Sequence, residues 1–256
     1  MLGSILPPFS FPSDLKVEVR PTLRLTQTTN SRMKADQQAA REILRRPIQA
    51  RNTKWAASIA RWLARVGLRP NQISLLSLFC GILAGLCLFL SGQWASKTVI
   101  VLLLIGAAAL MQLRLLCNLF DGMVAVEGGF KTKSGEIFNE LPDRFSDVFV
   151  FLGAGYSMPG NHLVEGMGWT AALLAVITAY VRAMGGAAGA AQPFFGPMAK
   201  QQRMALMTGA CLIGALAQGI EWPFHIMAYA LPTIIVGCLI TIIRRTLFIM
   251  RDLEAK

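Results

Sequence analysis

Apolar residues along the chain form six long runs that are separated by short polar segments. These runs cover residues 72–91, 98–125, 136–157, 166–188, 203–219 and 223–243. Each is close to the roughly 20 residues that an α-helix needs to cross the hydrocarbon core of a bilayer. The pattern therefore predicts an all-α, polytopic membrane protein with six transmembrane helices.

The basic residues between the runs predict the orientation of these helices. Lysines and arginines lie in segments 131–135 and 189–203 and in the tail after residue 243, whereas the alternate segments 92–97, 158–165 and 220–222 contain one lysine, Lys97. Cytoplasmic loops carry the excess of Lys and Arg in membrane proteins. We therefore expect both termini on the cytoplasmic side and a first helix that runs outward.

The chain divides into two parts. Residues 1–52 start with many prolines, serines and threonines and then become basic, which predicts a tail that changes from disordered to helical. Residues 53–256 form the predicted membrane domain, which opens with a juxtamembrane amphipathic helix. Its apolar face carries Trp55, Ile59, Trp62, Leu63 and Val66, and its polar face carries Lys54, Ser58, Arg61 and Arg65. Such a helix lies in the membrane interface or packs on its own protein, and these two arrangements are compatible.

The composition supports this class of protein and narrows its partners. Charged residues make up only 15% of the chain and hydrophobic residues 54%, whereas soluble domains are about 25% charged. The net charge of +11 favours anionic lipid headgroups and phosphates as partners over nucleic acid. The five cysteines all lie in apolar runs without metal-ligand spacing, so we interpret them as small core residues.

Polar side chains interrupt the second and third runs at helical spacing. Arg114, Asn118 and Asp121 are three or four residues apart, and the third run offers Gly135, Asn139, Asp143 and Asp147 at intervals of four. Residues at these spacings lie on one face of a helix. A charged side chain costs roughly 2.5–3.5 kcal/mol at the centre of a membrane helix, so such a cluster indicates function.

The short connection between these two runs predicts two antiparallel neighbouring helices. In that arrangement Ala125 lies beside Gly135, Asp121 near Asn139 and Asn118 near Asp143. Arg114 and Asp147 then reach the same depth, where we expect them to form a buried ion pair. The oxygen-rich layer above that pair suits a hard divalent cation.

The spacing of these residues resembles the signature of the CDP-alcohol phosphatidyltransferase family. It reads Asn118-x2-Asp121-Gly122-x2-Ala125-Val126-x8-Gly135-x3-Asn139-x3-Asp143. Every interval fits, but three residues depart from the family: Asn118 and Asn139 replace aspartates, and Val126 replaces an arginine. We expect the two amides to weaken metal binding.

The resemblance implies an enzyme that transfers a phosphatidyl group from a CDP-linked lipid, such as CDP-diacylglycerol, to a hydroxyl acceptor and releases CMP. It implies Mg²⁺ or Mn²⁺ as cofactor, and a small alcohol or phosphorylated alcohol as acceptor. Carried onto this chain, it makes Asp121 a metal ligand and Asp143 a ligand or the general base. Asn118 and Asn139 complete the metal layer. Gly122, Ala125 and Gly135 would line the nucleotide pocket.

Further polar residues near the predicted cytoplasmic side admit two interpretations each. Ser74 lies near the diphosphate by the resemblance, while the preceding Asn71 is otherwise simply the cap of a helix. Arg182, Lys200 and Arg203 are candidates to bind phosphates of the donor or acceptor, because guanidinium groups suit oxyanions. Lys200 and Arg203 are alternatively ordinary basic anchors at the membrane surface.

Two wider expectations complete the prediction. Small residues in the later runs (Gly209, Gly214 and Gly237) permit close packing between copies, as in the homodimers that the family forms. The resemblance also implies a bacterial inner membrane, with the active site facing the cytoplasm. The alternative function, from a different class, is a non-catalytic lipid- or nucleotide-binding membrane protein with the same fold.

Overall fold

The computed structural model describes residues 53–129, 135–219 and 225–256, and all its regular structure in these ranges is α-helical. The helices are α1 Lys54–Arg65, α2 Pro70–Ser91, α3 Lys97–Glu127, α4 Gly135–Gly155, α5 His162–Ala187, α6 Lys200–Gly219 and α7 Met227–Glu254. The predicted all-α fold is therefore confirmed. The prediction for residues 1–52 lies outside the described residues.

Four of these helices are long and apolar enough to cross a membrane: α2, α3, α5 and α7. Large apolar side chains on their outer faces point away from the bundle, as shown by Leu75, Leu102 and Leu173, which are 64%, 63% and 61% exposed. A helical bundle in water would bury such residues, whereas hydrocarbon solvates them. The chain is therefore a membrane protein. Six spanning helices stay a prediction.

Helix α2 occupies the position next to α4 that we predicted for α3. It packs extensively against both, whereas α3 and α4 are not a closely packed pair within the described residues. The cause is a row of small residues on α2. A Cβ atom on Gly153 of α4 would lie 2.0 Å from the carbonyl oxygen of Gly85, so the two backbones are in direct contact. The prediction that α3 and α4 pack directly side by side is therefore wrong, because glycines give α4 a closer neighbour. The depth register of Ala125 with Gly135 stays a prediction.

The chain direction alternates so that polar residues collect at one end of the bundle. Helix α2 is antiparallel to α3, since Ser74 bonds Asp121 while Ser77 bonds Asn118. Helix α2 is parallel to α4, because Gly81 approaches Ser146 and Gly85 approaches Phe149. The first turns of α2, α4 and α6 consequently lie at the same end of the bundle as the last turns of α3 and α5. This end of the molecule contains the predicted site.

Helix α1 packs on α3 through small side chains and keeps its tryptophans outside. Ala56 and Ala60 are fully buried in a cluster with residues of α3. Trp55 and Trp62 are 50% and 58% exposed, although the ring edge of Trp55 also meets Phe120. The expected packing of this helix on its own protein is thus confirmed, and its position in a membrane interface stays a prediction.

The glycines predicted to mediate contact between copies have different surroundings. A Cβ atom on Gly237 would collide with Met198, and one on Gly214 would touch Ile226 and Leu104. Gly209 has open space instead. Two of the three glycines therefore serve packing within the chain, and the homodimer stays a prediction.

Candidate functional site

The deepest part of the polar end is an ion-pair cluster that joins three helices. Each carboxylate oxygen of Asp147 on α4 accepts a hydrogen bond from a different guanidinium, Arg114 of α3 and Arg203 of α6, both at 2.7 Å. All three side chains are at most 1% exposed. Such short contacts between opposite charges are the strongest class of protein hydrogen bond. The cluster therefore fixes the relative depth of α3, α4 and α6.

Arg203 was predicted to bind a substrate phosphate or to anchor the membrane surface, and the structure places it in neither position. Besides Asp147, its guanidinium donates to the hydroxyl of Thr178 at 3.0 Å and to the carbonyl of Met198 at 2.8 Å. Its place among the basic residues next to Lys200 had suggested a position at the membrane surface. One turn into α6, however, this side chain turns into the core, where Asp147 neutralises it. We therefore correct its role to a structural one.

The next layer contains hydroxyl groups of α2 that bond polar residues of α3. Ser74 donates to Asp121 at 2.8 Å, and Ser77, three residues later, donates to the side-chain oxygen of Asn118 at 3.0 Å. Helix α2 starts at Pro70 with Arg69 as its N-cap, so the interpretation of Asn71 as the cap is wrong. Ser74 lies one turn inside, where its hydroxyl orients the Asp121 carboxylate.

Asp143 and Lys200 form an ion pair in the same layer. The ammonium group of Lys200 contacts one carboxylate oxygen of Asp143, while Arg114 lies 3.5 Å from the other and donates to the Asp143 backbone carbonyl at 3.0 Å. Asp121 interacts electrostatically with both Asp143 and Lys200. The structure thus brings Asp121 and Asp143 into one layer, to which Lys200 adds a positive charge.

The outermost layer is built around Glu140 of α4. One oxygen of its carboxylate lies 2.6 Å from Arg182 of α5, and the other lies 2.7 Å from Arg144, one turn further along α4. Arg182 also donates to Gln192 at 3.0 Å, and its guanidinium stacks over the ring of Phe194 at 5.0 Å. Arg182 was a predicted phosphate-binding residue, and here a carboxylate of the same chain occupies it.

The remaining predicted residues border these layers. Asn139, Gly122, Ala125 and Gly135 are all partly buried, whereas Val126, at the family's arginine position, is 47% exposed. Their roles stay predictions.

Sequence reasoning missed two residues of the site. The first is Ser77. Its spacing of three residues from Ser74 was the signal that could have identified it. Arg245 was assigned to the basic tail, but it lies inside α7, is 5% exposed and donates to the carbonyls of Thr178 and Phe195. Arg245 comes directly after an apolar run, and that position was the available signal. The helix is longer than the run and therefore includes Arg245.

Several buried polar atoms of the middle layer have no hydrogen-bond partner among the described residues. They include one oxygen each of Asp121 and Asp143 and the amide nitrogen of Asn118. Reversing that amide keeps its bond to Ser77, because a hydroxyl accepts as well as donates, and brings its oxygen to the place of the unbonded nitrogen. Within the described residues, no three His, Cys, Asp or Glu side chains form a metal-binding group. The layer therefore offers oxygen ligands but few negative charges.

Comparison with known proteins finds relatives that are similar to part of this chain. The inner membrane protein YnbA of Escherichia coli is 34% identical over 91 residues, which cover 36% of this chain and 42% of that protein. The phosphatidylinositol phosphate synthase of Mycobacterium tuberculosis is 33% identical over 95 residues, 37% of this chain and 39% of the synthase. No protein-family model matches the chain. The matched segments span about two fifths of these relatives.

The fold extends the match along most of the chain. The crystal structure of the M. tuberculosis synthase PgsA1 with CDP-DAG bound superposes with a TM-score of 0.63 at 21% identity, covering 77% of this chain and 94% of that chain. The form in complex with manganese and citrate gives 0.62 at 22% identity, covering 76% of this chain and 88% of that chain. The resemblance to the CDP-alcohol phosphatidyltransferases is confirmed. The variant signature, with Asn118 and Asn139 at two of its positions, stays a prediction.

Proposed function

We propose that the protein transfers a phosphatidyl group from a CDP-linked lipid to a hydroxyl acceptor and releases CMP. The observation that carries this proposal is the pair Asp121 and Asp143, two buried carboxylates that each keep an oxygen without a hydrogen-bond partner among the described residues. They lie in a fold whose solved relative has CDP-DAG bound. An unpartnered buried carboxylate oxygen is costly, so such atoms favour a ligand.

The reaction needs a group that accepts a proton from the acceptor hydroxyl. The acceptor oxygen forms a bond to the phosphorus that carries the diacylglycerol, and the bond from this phosphorus to the bridging oxygen breaks. CMP leaves with that electron pair, while the acceptor proton passes to Asp143. Ser74 orients Asp121, and Lys200 places a positive charge beside Asp143, where it faces the charge that develops on the phosphates. We assign the nucleotide pocket to Gly122, Ala125 and Gly135.

The donor atoms of the middle layer fit one divalent cation, Mg²⁺ or Mn²⁺. Asp121 and Asp143 would hold it with their unpartnered oxygens, with Asn118 and Asn139 as amide ligands. When bound, such a cation neutralises the diphosphate and stabilises the leaving oxygen. The ammonium of Lys200 supplies positive charge that a second cation would otherwise supply. Two amides replace two carboxylates, so the layer has less negative charge with which to bind a second cation. We therefore infer one cation rather than two. The manganese complex of the solved relative is consistent with a cation of this type.

We also propose that α4 and α6 complete a bundle of six membrane-spanning helices. Ile137 of α4 and Leu216 of α6 are 64% and 70% exposed, so these helices too have outer apolar faces. Basic residues at the polar end, together with Lys131 and Lys133 of the sequence, favour a site and both termini on the cytoplasmic side of an inner membrane.

The alternative function, a non-catalytic lipid- or nucleotide-binding protein, has one observation in its favour. The three predicted phosphate-binding cations all have carboxylate partners in this structure: Arg182 with Glu140, Lys200 with Asp143, and Arg203 with Asp147. A binding protein with this fold would retain nucleotide affinity without turnover.

Release of CMP from CDP-diacylglycerol separates the two functions. We expect the purified protein to release CMP when an alcohol acceptor and Mg²⁺ are present, and to lose this activity with a chelator. Asp143→Asn should lower the rate by roughly 100-fold or more, the usual contribution of a general base. Asp252→Asn is the matched control, because Asp252 pairs with Lys256 on the exposed end of α7.

Two outcomes would contradict the proposal. One is the absence of CMP release with any small alcohol from protein that binds CDP, which would support the non-catalytic alternative. The other is turnover that Asp143→Asn leaves as high as Asp252→Asn does.

A further inference from the structure

The Glu140 carboxylate occupies a site that two arginines form at the outer edge of the polar end. Its two oxygens lie 2.6 Å from Arg182 and 2.7 Å from Arg144, so each guanidinium binds a different oxygen. A phosphate group presents oxygens to two arginines in the same way. Glu140 therefore holds the position of an anionic ligand.

The two arginines are fixed before any ligand arrives. Gln192 and the ring of Phe194 hold Arg182, whose side chain is 12% exposed. Arg144 bonds the backbone carbonyl of Glu140 at 3.3 Å as well as its carboxylate, and its side chain is 19% exposed. Glu140 is the accessible member, with its side chain 41% exposed. The two arginines thus form an anion site that is held by other contacts of the chain and covered by the partly exposed Glu140 carboxylate.

This anion site borders the reacting groups. Glu140 follows the predicted ligand Asn139 directly and interacts electrostatically with Lys200, the partner of Asp143. Arg144 follows Asp143 in the chain and interacts electrostatically with it. An acceptor that places its hydroxyl at Asp143 therefore extends its other groups toward Glu140.

We propose that Glu140 determines acceptor specificity by closing the Arg144–Arg182 anion site, so that the acceptor is an alcohol without a phosphate group. The inference rests on the proposed function and narrows its acceptor class. A carboxylate tethered beside two guanidiniums competes with every free anion at a high effective concentration. It also repels an acceptor phosphate, whereas a neutral polyol or an amino alcohol meets no such charge.

Binding of inorganic phosphate tests the closed anion site without any turnover. We expect the wild-type protein to bind phosphate weakly, and Glu140→Gln to bind it at least about tenfold more tightly in a calorimetric titration, because the competing charge is gone. A further change of Arg182→Met in the Glu140→Gln protein should abolish the gain. Glu127→Gln is the matched control, since Glu127 pairs with Arg61 on α1 and α3.

The choice of acceptor tests the specificity in the unmodified protein. We expect CMP release with glycerol to exceed that with glycerol 3-phosphate, and Glu140→Ala to shift the ratio toward the phosphorylated acceptor. The proposal is overturned if the wild type prefers glycerol 3-phosphate, if wild type and Glu140→Gln bind phosphate equally, or if neither binds it. Phosphate binding that responds to Glu140 while no acceptor yields CMP would contradict the proposed function but keep the anion site.

Discussion

Replacing Asp147 by Asn removes the carboxylate that bonds two buried guanidiniums. Asparagine has nearly the same shape, so the change isolates the charge. Asp147 accepts two bonds of 2.7 Å, from Arg114 and Arg203, and all three side chains are sealed from solvent. Hydrogen bonds to charged groups contribute about 1.5–3 kcal/mol each. Removing one partner of a buried ion pair costs about 3–5 kcal/mol. Asparagine keeps one oxygen that can still accept a hydrogen bond, but it turns an NH2 group toward the second guanidinium.

We therefore expect Asp147→Asn to lower the free energy of unfolding by about 3–5 kcal/mol, a large part of the 5–15 kcal/mol of a typical protein. Tryptophan fluorescence during titration with denaturing detergent measures this value for wild type and variant in the same micelles. Asp252→Asn is the control, since it removes a half-buried carboxylate that pairs with the exposed Lys256, and we expect a much smaller change from it.

A second substitution tests the reasoning if Asp147→Asn accumulates poorly. Changing Arg203 to Met in the same chain removes one of the two cations that have lost this carboxylate. The double variant should therefore be more stable than the sum of the single changes. The ion-pair argument fails if Asp147→Asn is as stable as Asp252→Asn, or if the two changes simply add.

Two further predictions concern the metal layer and the helix contact. Asn139→Asp adds a carboxylate and should raise the affinity for Mn²⁺, followed by electron paramagnetic resonance, at least about tenfold, since unit charges 4 Å apart attract by about 4 kcal/mol at an effective dielectric of 20. Asn161→Asp, which adds the same charge at the far end of α5, should leave the affinity unchanged. Gly153→Ala should destabilise the protein by about 1–3 kcal/mol because it pushes α2 from α4, whereas Gly209→Ala, with open space around it, should not. Equal affinities, or equal melting temperatures, would contradict these two predictions.

The sequence was sufficient to predict the helices and the polar residues because both depend on local spacing. Asn139, Asp143 and Asp147 repeat at intervals of four, which fixes a helix face whatever surrounds it. Arg114 was expected at the depth of Asp147, and the two lie 2.7 Å apart. Depth along a membrane helix follows from counting residues, since each adds a constant rise.

The lateral arrangement could not be predicted in the same way. Gly81 and Gly85 of α2 predict a close contact with another helix. Small residues do not specify which helix makes that contact. The structure gives that place to α4, where Gly153 meets Gly85. Arg203 was misassigned for a related reason, because its partner Asp147 lies 56 residues away and had already been paired with Arg114.

The shared carboxylate of Asp147 also has a consequence for the order in which the bundle is made. Helix α3 leaves the ribosome before α4, so Arg114 enters the bilayer before its counterion exists. An unpaired arginine at a helix centre costs about 2.5–3.5 kcal/mol on insertion, which makes α3 the vulnerable step of biogenesis. Helix α6 arrives last of the three and meets a carboxylate that is already in position. Mistakes in assembly should therefore accumulate as chains in which α3 has failed to insert.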